Sequence, residues 1–400
     1  MNTQTGSAPQ LGDAIQLPGG AVLKNRMVKS AMSDSLGDGT GNPTAAQTRL
    51  YERWAQGGLA LSLIGEVQSD PRYPEKPGNL MLWEHSDLDS LRELTARASV
   101  NGAHIWPQLG HGGALSHSPI YQPKGPSALH IGDFRCDGMT LAEIQQLPET
   151  YARSATLAKE VGFTGVQIHA GHGFLLSQFL SPLFNRREDE YGGSVARRAR
   201  IVTEIIAAVR EAVGPAFPVG IKINTSDLLE GGLTRQDALE TISLLDKTTL
   251  DLIELSGGTY FPGAKSSSDS AAKGPYYVEF AAQAREITAI PLMVTGGFKS
   301  RQDATDALAG GNTDLIGVAR ATILNPSLAS DWLAGKGDPE FPRFETNPPG
   351  GITAWYTLLL TALANDEEAG FELDLPTALR VYEERDALKT ARWKDAFWLV

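Results

Sequence analysis

Four hundred residues, 42% of them apolar and 8% aromatic, can bury one large α/β core or two ordinary ones, so disorder is not the default reading. A net charge of −12 repels nucleic acid and anionic lipid surfaces at long range, which leaves a small molecule as the expected partner. One cysteine, Cys136, cannot form an internal disulfide, and neither a basic-then-apolar leader nor a run of roughly 18 apolar residues is present, so a soluble, cytoplasmic protein is expected.

In chain order, "LGDAIQLPGGAVLKNR" (11 to 26) reads as a hairpin turning at Pro18, Gly19 and Gly20, able to plug the end of the sheet that follows. Eight short apolar runs come next: "RMVKS" (26 to 30), "LALSLIG" (59 to 65), "AHIWPQ" (103 to 108), "GVQIH" (165 to 169), "VGIKIN" (219 to 224), "DLIELS" (251 to 256), "PLMVTG" (291 to 296) and "DLIGVA" (314 to 319). Runs apolar at most positions predict strands covered on both faces, and helix-like stretches between them supply the crossovers of a parallel sheet. One such stretch, 194 to 214, starts at Ser194 as N-cap and stops at Gly214. Eight strand-plus-helix units fit a (β/α)8 TIM barrel with an N-terminal hairpin cap and a C-terminal helical extension. The rival, an open dinucleotide-binding sheet, would show a G-x-G-x-x-G turn, and "GDGTGN" (37 to 42) has the wrong spacing. Long loops after the third and sixth strands, 109 to 140 and 257 to 275, belong on the barrel's C-terminal face. Residues 1 to 335 are expected to form the catalytic barrel. Residues 336 to 400 read as an extension packed on the barrel or on a partner subunit, compatible with a homodimer or a larger homo-oligomer.

Polar residues recur where these strands end: Ser33 after the first, Glu66 after the second, Gln108 on the third, His169 and His172 at the fourth, Lys222 and Asn224 on the fifth. A single such residue is usually a satisfied structural hydrogen bond, whereas five strand ends meeting at one mouth point to a site. The pair His169 and His172 has three readings. They are metal ligands, although no Asp, Glu or Cys follows until Glu188; or a structural pair; or two N–H donors stabilising charge on one ligand oxygen. "TGGF" (295 to 298) and "GVAR" (317 to 320) follow strands seven and eight, where barrels bind phosphate; glycines admit backbone N–H groups and Arg320 adds a charge-assisted contact. Tyr51 and Trp54 read as core.

The segment "GVQIHAGHGFLLSQFLSPLFNRREDEYGGS" (165 to 194) resembles the signature of the Old Yellow Enzyme family of FMN oxidoreductases, and "NRMVKSAMS", "AHIWPQLGHGG", "GIKINTSD", "LIELSGGTY" and "MVTGGF" follow the family in the same order. The similarity covers about residues 11 to 335. It implies non-covalent FMN with its phosphate on Gly296, Gly297, Phe298, Ala319 and Arg320, and with its ring near Ala31, Met32, Ser33, Glu66, Gln108 and Lys222. It also implies NADH or NADPH as hydride donor. His169 and His172 would then grip the carbonyl of an electron-poor alkene, and Ser33 would face the ring close to N5. Departures are visible: Phe174 stands where the family has its proton-donor tyrosine, Lys222 replaces an arginine, "HGGA" (111 to 114) lacks a terminal arginine, and Ala319 stands for a glycine. Tyr260 and Tyr121 are candidate substitute donors. The same scaffold could instead run chemistry needing no donor, namely dehydrogenation, isomerisation or nitro and nitrate-ester reduction. A flavin-free sugar-phosphate aldolase or isomerase would use Lys222 as Schiff base or Glu66 as base.

Overall fold

The computed structural model describes residues 8–261, 264, 274–345 and 348–397; residues 262–263 and 265–273 of the loop expected after the sixth strand lie outside them. Eight parallel strands form in the eight expected places: β1 (Met27–Lys29), β2 (Leu61–Gln68), β3 (His104–Gly110), β4 (Val166–Ala170), β5 (Val219–Asn224), β6 (Leu252–Ser256), β7 (Leu292–Thr295) and β8 (Leu315–Val318). Each pairs with its sequence neighbour, and β8 pairs back onto β1 with Ile316 opposite Met27, so the sheet closes into a barrel. Seven helices cross between strands: α1 (Ala45–Gln56), α2 (Leu88–Ala98), α3 (Leu141–Glu160), α4 (Arg200–Val213), α5 (Arg235–Leu245), α6 (Val278–Arg285) and α7 (Arg301–Ala309). A short α8 (Arg320–Leu324) follows the last strand.

Strand alternation sorts the side chains. Outward residues such as Ile105, Ile168, Ile221 and Ile253 join the helices in the main core. Inward residues change character along the axis. At the N-terminal end Val28, Leu61, Leu63, Trp106, Leu252, Met293 and Leu315 fill the barrel, and Leu17 and Leu23 of the hairpin seal it. Each such burial contributes about 1.5–3 kcal/mol. Trp106 needs room that only glycine leaves, because a Cβ on Gly165 would lie 2.5 Å from its indole. The hairpin forms as expected, Ile15–Gln16 against Val22–Leu23. Its turn is tied to the start of β6 by the Gly19 N–H donating to Asp251 Oδ1 at 2.6 Å.

One helix differs from its expected form. The 194 to 214 stretch divides at Ala199 into a single turn, Val195–Arg198, and α4. The buried Arg198 guanidinium draws that turn to the barrel by donating to the carbonyls of Leu180 and Gly193, both at 2.8 Å. Ser194 caps the turn, and Gly214, at φ 80°, ends α4.

After α8 the chain forms α9 (Gly351–Ala364), packed on α1 and α8, and α10 (Leu375–Phe397). The second of these crosses the C-terminal face of its own barrel. Trp393 is fully buried and donates to Pro71 O at 2.8 Å, the His117 ring meets Thr390 Oγ1 at 3.0 Å, and Lys389 Nζ donates to Ser35 O. Among the described residues no helix is long and apolar enough to cross a membrane.

Candidate functional site

The upper half of the barrel interior is polar. Gln108 Nε2 donates to Gln167 Oε1 at 2.6 Å, and Gln167 Nε2 donates to Glu254 Oε2 at 2.7 Å. Lys222 Nζ lies 3.1 Å from Glu254 Oε1, an ion pair whose angle misses hydrogen-bond geometry and leaves that oxygen without a hydrogen bond. All four residues are at most 2% exposed. The line therefore runs from β3 through β4 and β6 to β5, its charges compensated internally. Lys222 is thus not the free amine that a Schiff-base chemistry wants.

Above this layer stand the two histidines. His169 Nδ1 accepts the Gly171 N–H at 3.4 Å, which puts the ring proton on Nε2, 3.4 Å from Glu66 Oε1. His172 lies in the left-handed region at φ 59°, a conformation that costs about 1–3 kcal/mol and must be held by its surroundings. Asn224 Oδ1 accepts its main-chain N–H at 2.9 Å, a bridge pairs it with Thr259, and its Nε2 meets Ser256 Oγ at 2.9 Å. The rings sit edge to face with centroids 5.3 Å apart. Burial first, then the neighbouring His172 and Lys222, drives His169 well below the usual imidazole value; burial and Lys222 push His172 down to about 3. Both are neutral near neutral pH, and each can offer one N–H.

Phe174 is buried and adjoins this pair, its ring centroid 5.2 Å from that of His169 and 5.8 Å from that of Tyr260. Tyr260 lies 5.9 Å from the His172 ring and is 68% exposed, at the rim of a cavity of about 290 Å³. That cavity is lined by Glu75, Lys76, Ser116, His117, Phe174 and Tyr260, among others. Tyr121 is not among its lining residues and packs edge-on against Tyr73 instead, with centroids 5.8 Å apart. Ser33 bridges to Gly65, and its hydroxyl lies 3.1 Å from Glu75 Oε2 and 3.0 Å from Asn79 Oδ1. A side chain at Gly65 would strike Ala31 Cβ at 2.6 Å and Gln108 Oε1 at 3.2 Å, so glycine there lets three strand ends meet. Met32, beside Ala31 and Ser33, is half-buried against the main core.

At the far side of the mouth, Gly296 and Gly297 have φ of 127° and 87°, a backbone that L side chains rarely adopt. Phe298 is buried behind them. Ala319 precedes α8 and Arg320 begins it. The Arg320 guanidinium meets the Tyr356 ring, 5.6 Å from its centroid, and among the described residues no carboxylate neutralises it. A Cβ on Gly297 would lie 2.1 Å from Gly274 O, so close packing as well as φ requires glycine beside this unpaired cation.

Gln167, Glu254 and Glu75 were not expected from the sequence. The first two had a signal: single polar residues at inward positions of "GVQIH" and "DLIELS". Glu75 lies in the irregular stretch between β2 and α2, where no periodicity marks an inward residue.

A family model described as the NADH:flavin oxidoreductase / NADH oxidase family matches residues 15–336. The NADH-dependent flavin oxidoreductase iliE of Neonectria sp. (strain DH2) is 36% identical over 374 residues, covering 84% of this chain and 48% of that protein. The protein of the same description from Hypocrea jecorina (strain QM6a) is 33% identical, covering 78% of this chain and 86% of that one. A solved 2-naphthoyl-CoA reductase complex superposes with a TM-score of 0.78 at 26% identity, over 82% of this chain and 52% of that one. The chain thus spans about half the length of the first and last of these proteins.

Proposed function

Since the chain belongs to the NADH:flavin oxidoreductase / NADH oxidase family, the Old Yellow Enzyme barrels with FMN as cofactor, we propose that it reduces an electron-poor alkene, an α,β-unsaturated carbonyl, at the expense of NADH or NADPH. The flavin-free aldolase alternative falls with that membership. FMN, when bound, accepts hydride from the nicotinamide and delivers it to the alkene.

The residues fit such a group. The uncompensated Arg320 with the Gly296 and Gly297 turns suits a phosphate, and Phe298 and Ala319 complete that wall. Gln108 and Lys222 would hold the polar edge of the ring, where positive charge favours an electron-rich state, and Ala31, Met32, Ser33 and Glu66 would border it. His169 and His172, both neutral, would donate their N–H groups to the substrate carbonyl oxygen as charge grows there, each donor contributing about 3 kcal/mol. The apolar ring of Phe174 and the cavity beyond it would seat the alkene.

One observation carries this reading: two buried neutral imidazoles, edge to face at 5.3 Å, stand over a polar barrel mouth whose far side carries the unpaired Arg320. A second reading rests on Phe174, which offers no acid: the same scaffold running dehydrogenation, isomerisation or nitro and nitrate-ester reduction. Anaerobic stopped-flow absorbance separates the two. NADH or NADPH bleaches the flavin band, and 2-cyclohexenone then restores it if alkene reduction is the reaction. Bleaching without return supports the second reading; absence of a flavin band from the purified protein overturns both. Arg320→Ala should weaken FMN retention at least tenfold on dialysis, and unchanged retention would remove Arg320 from the phosphate site.

A further inference from the structure

We propose that Glu75 is the acid that protonates the substrate α-carbon, the place left without a donor by Phe174. The inference rests on the alkene-reduction reading above. Glu75 shares the wall of the 290 Å³ cavity with Phe174 and Tyr260, whose rings in turn pack against those of His169 and His172. One oxygen, Oε2, is held by the Ser33 hydroxyl at 3.1 Å and by Asn79 Nδ2 at 3.3 Å. The other, Oε1, has no hydrogen-bond partner among the described residues. Lys76, the nearest cation in sequence, is engaged 3.7 Å from Asp386 on α10. A carboxyl fixed at one oxygen, unbonded at the other and carried by a residue of the cavity wall has the form of a positioned general acid.

Burial favours its protonated form. Glu66 of β2 faces it, and burial together with the charge of Glu75 lifts Glu66 well above the usual carboxylate range. Burial likewise raises Glu75, with Lys76 and the hydrogen bonds from Asn79 and Ser33 opposing and Asp386 assisting. The remaining groups facing Glu75 are His117 from the loop after β3, held neutral near a value of about 4, Tyr260 from the loop after β6, and Tyr382 from α10. Tyr260 is the competing donor, but it lies at the exposed rim of the cavity.

The step balances as a single proton transfer. Reduced FMN, when bound, would supply the hydride for the β-carbon C–H bond and be reoxidised as its own bond to that hydrogen breaks, and the alkene π pair would shift toward the carbonyl held by His169 and His172. That pair then forms the α-carbon C–H bond as the Glu75 O–H bond breaks. The carboxylate takes its next proton from water at the cavity mouth.

The test is the reoxidation of reduced holoenzyme by 2-cyclohexenone across pH, with infrared difference spectra of the same proteins. In the unsubstituted protein the rate should fall as pH rises through the Glu75 ionisation; neither histidine titrates there. Glu75→Gln should lower that rate by about 10²- to 10⁴-fold and flatten the profile. It should also remove one protonated-carboxyl component from the infrared difference spectrum, leaving that of Glu66. Adding Phe174→Tyr to Glu75→Gln should recover much of the rate, which a merely structural role for Glu75 would not allow. Glu75→Asp, slower but with the same pH limb, serves if the glutamine variant does not fold; a flat profile there overturns the assignment. A wild-type rate and profile in Glu75→Gln, or an infrared difference spectrum that the substitution leaves unchanged, also overturns it, leaving alkene reduction intact. Failure of the unsubstituted reduced enzyme to react with 2-cyclohexenone sinks the alkene reading and the Glu75 role together.

Discussion

Glu254 and Lys222 are both buried and face each other at 3.1 Å inside the barrel, so each neutralises a charge that water cannot reach. Glu254→Gln keeps the shape but leaves Lys222 uncompensated; it should lower the unfolding free energy of the flavin-free protein by about 3–5 kcal/mol in urea denaturation. The pair Lys222→Met with Glu254→Leu should recover much of that loss, because no charge then needs compensation. Phe174 makes the opposite kind of prediction. Its ring already lines a cavity of about 290 Å³, so Phe174→Tyr adds a hydroxyl without overpacking. With Glu75 as the acid, that variant alone should change the rate of enone reduction less than about tenfold; a gain of 10² or more would mean that the unsubstituted site lacks an efficient donor. The histidines, Lys222, Ser33 and Gln108 were legible because a polar residue at the end of an apolar strand has few other places to go. Glu75 was not, since only the folded loop brings it into one cavity wall with Phe174, which lies far along the chain.

At the scale of the element, β1 and α1 share a buried lysine. Lys29 points outward from the barrel, donates to Leu63 O at 2.8 Å and to Tyr51 OH at 3.2 Å, and lies 4.6 Å from the Trp54 ring centroid. Tyr51 in turn donates to Asp34 Oδ2 at 2.9 Å. Burial outweighs the attraction of Asp34 and lowers Lys29 from 10.5 to about 7. The unfolded chain therefore binds this proton where the folded one has released it. The contribution to stability is full above the unfolded value near 10.5 and is lost as pH falls toward 7. Lys29→Met should erase that slope: the stability difference between the two proteins should shift by several kcal/mol in favour of the unsubstituted one between pH 7 and pH 10.5. Parallel denaturation curves at both pH values would check it, and a constant difference would place the ionisation elsewhere. Tyr51 and Trp54 are core, as their helical spacing suggests. Helix ends were also readable, whereas the division of 194 to 214 at Ala199 was not, because it depends on carbonyls that Arg198 finds on other segments.

For the whole molecule, α10 couples the end of the chain to the mouth of the barrel. Trp393 is fully buried, and its indole N–H is tied to Pro71 O, in the same irregular stretch that carries Glu75. Trp393→Ala should cost about 3–5 kcal/mol of packing. The loss should appear as faster hydrogen exchange in 375–397 and 69–79, with the barrel strands unchanged; uniform acceleration across the strands would mean that α10 and the barrel unfold as one unit. The sequence by itself determined the eight strands, their order and the hairpin cap, because burial on both faces forces apolar runs that a short window can read. It also marked Ser33, Gln108, His169, His172 and Lys222 as candidates, since a polar residue at the end of an apolar strand stands out, but not Gln167, Glu254 or Glu75. The tertiary structure alone decided which of them touch: Gln108 with Gln167, Gln167 with Glu254, Glu75 with Ser33, and Tyr260 rather than Tyr121 beside the histidines. Those pairings depend on barrel closure and loop packing between distant segments, and no local pattern encodes a distance that only the closed barrel creates.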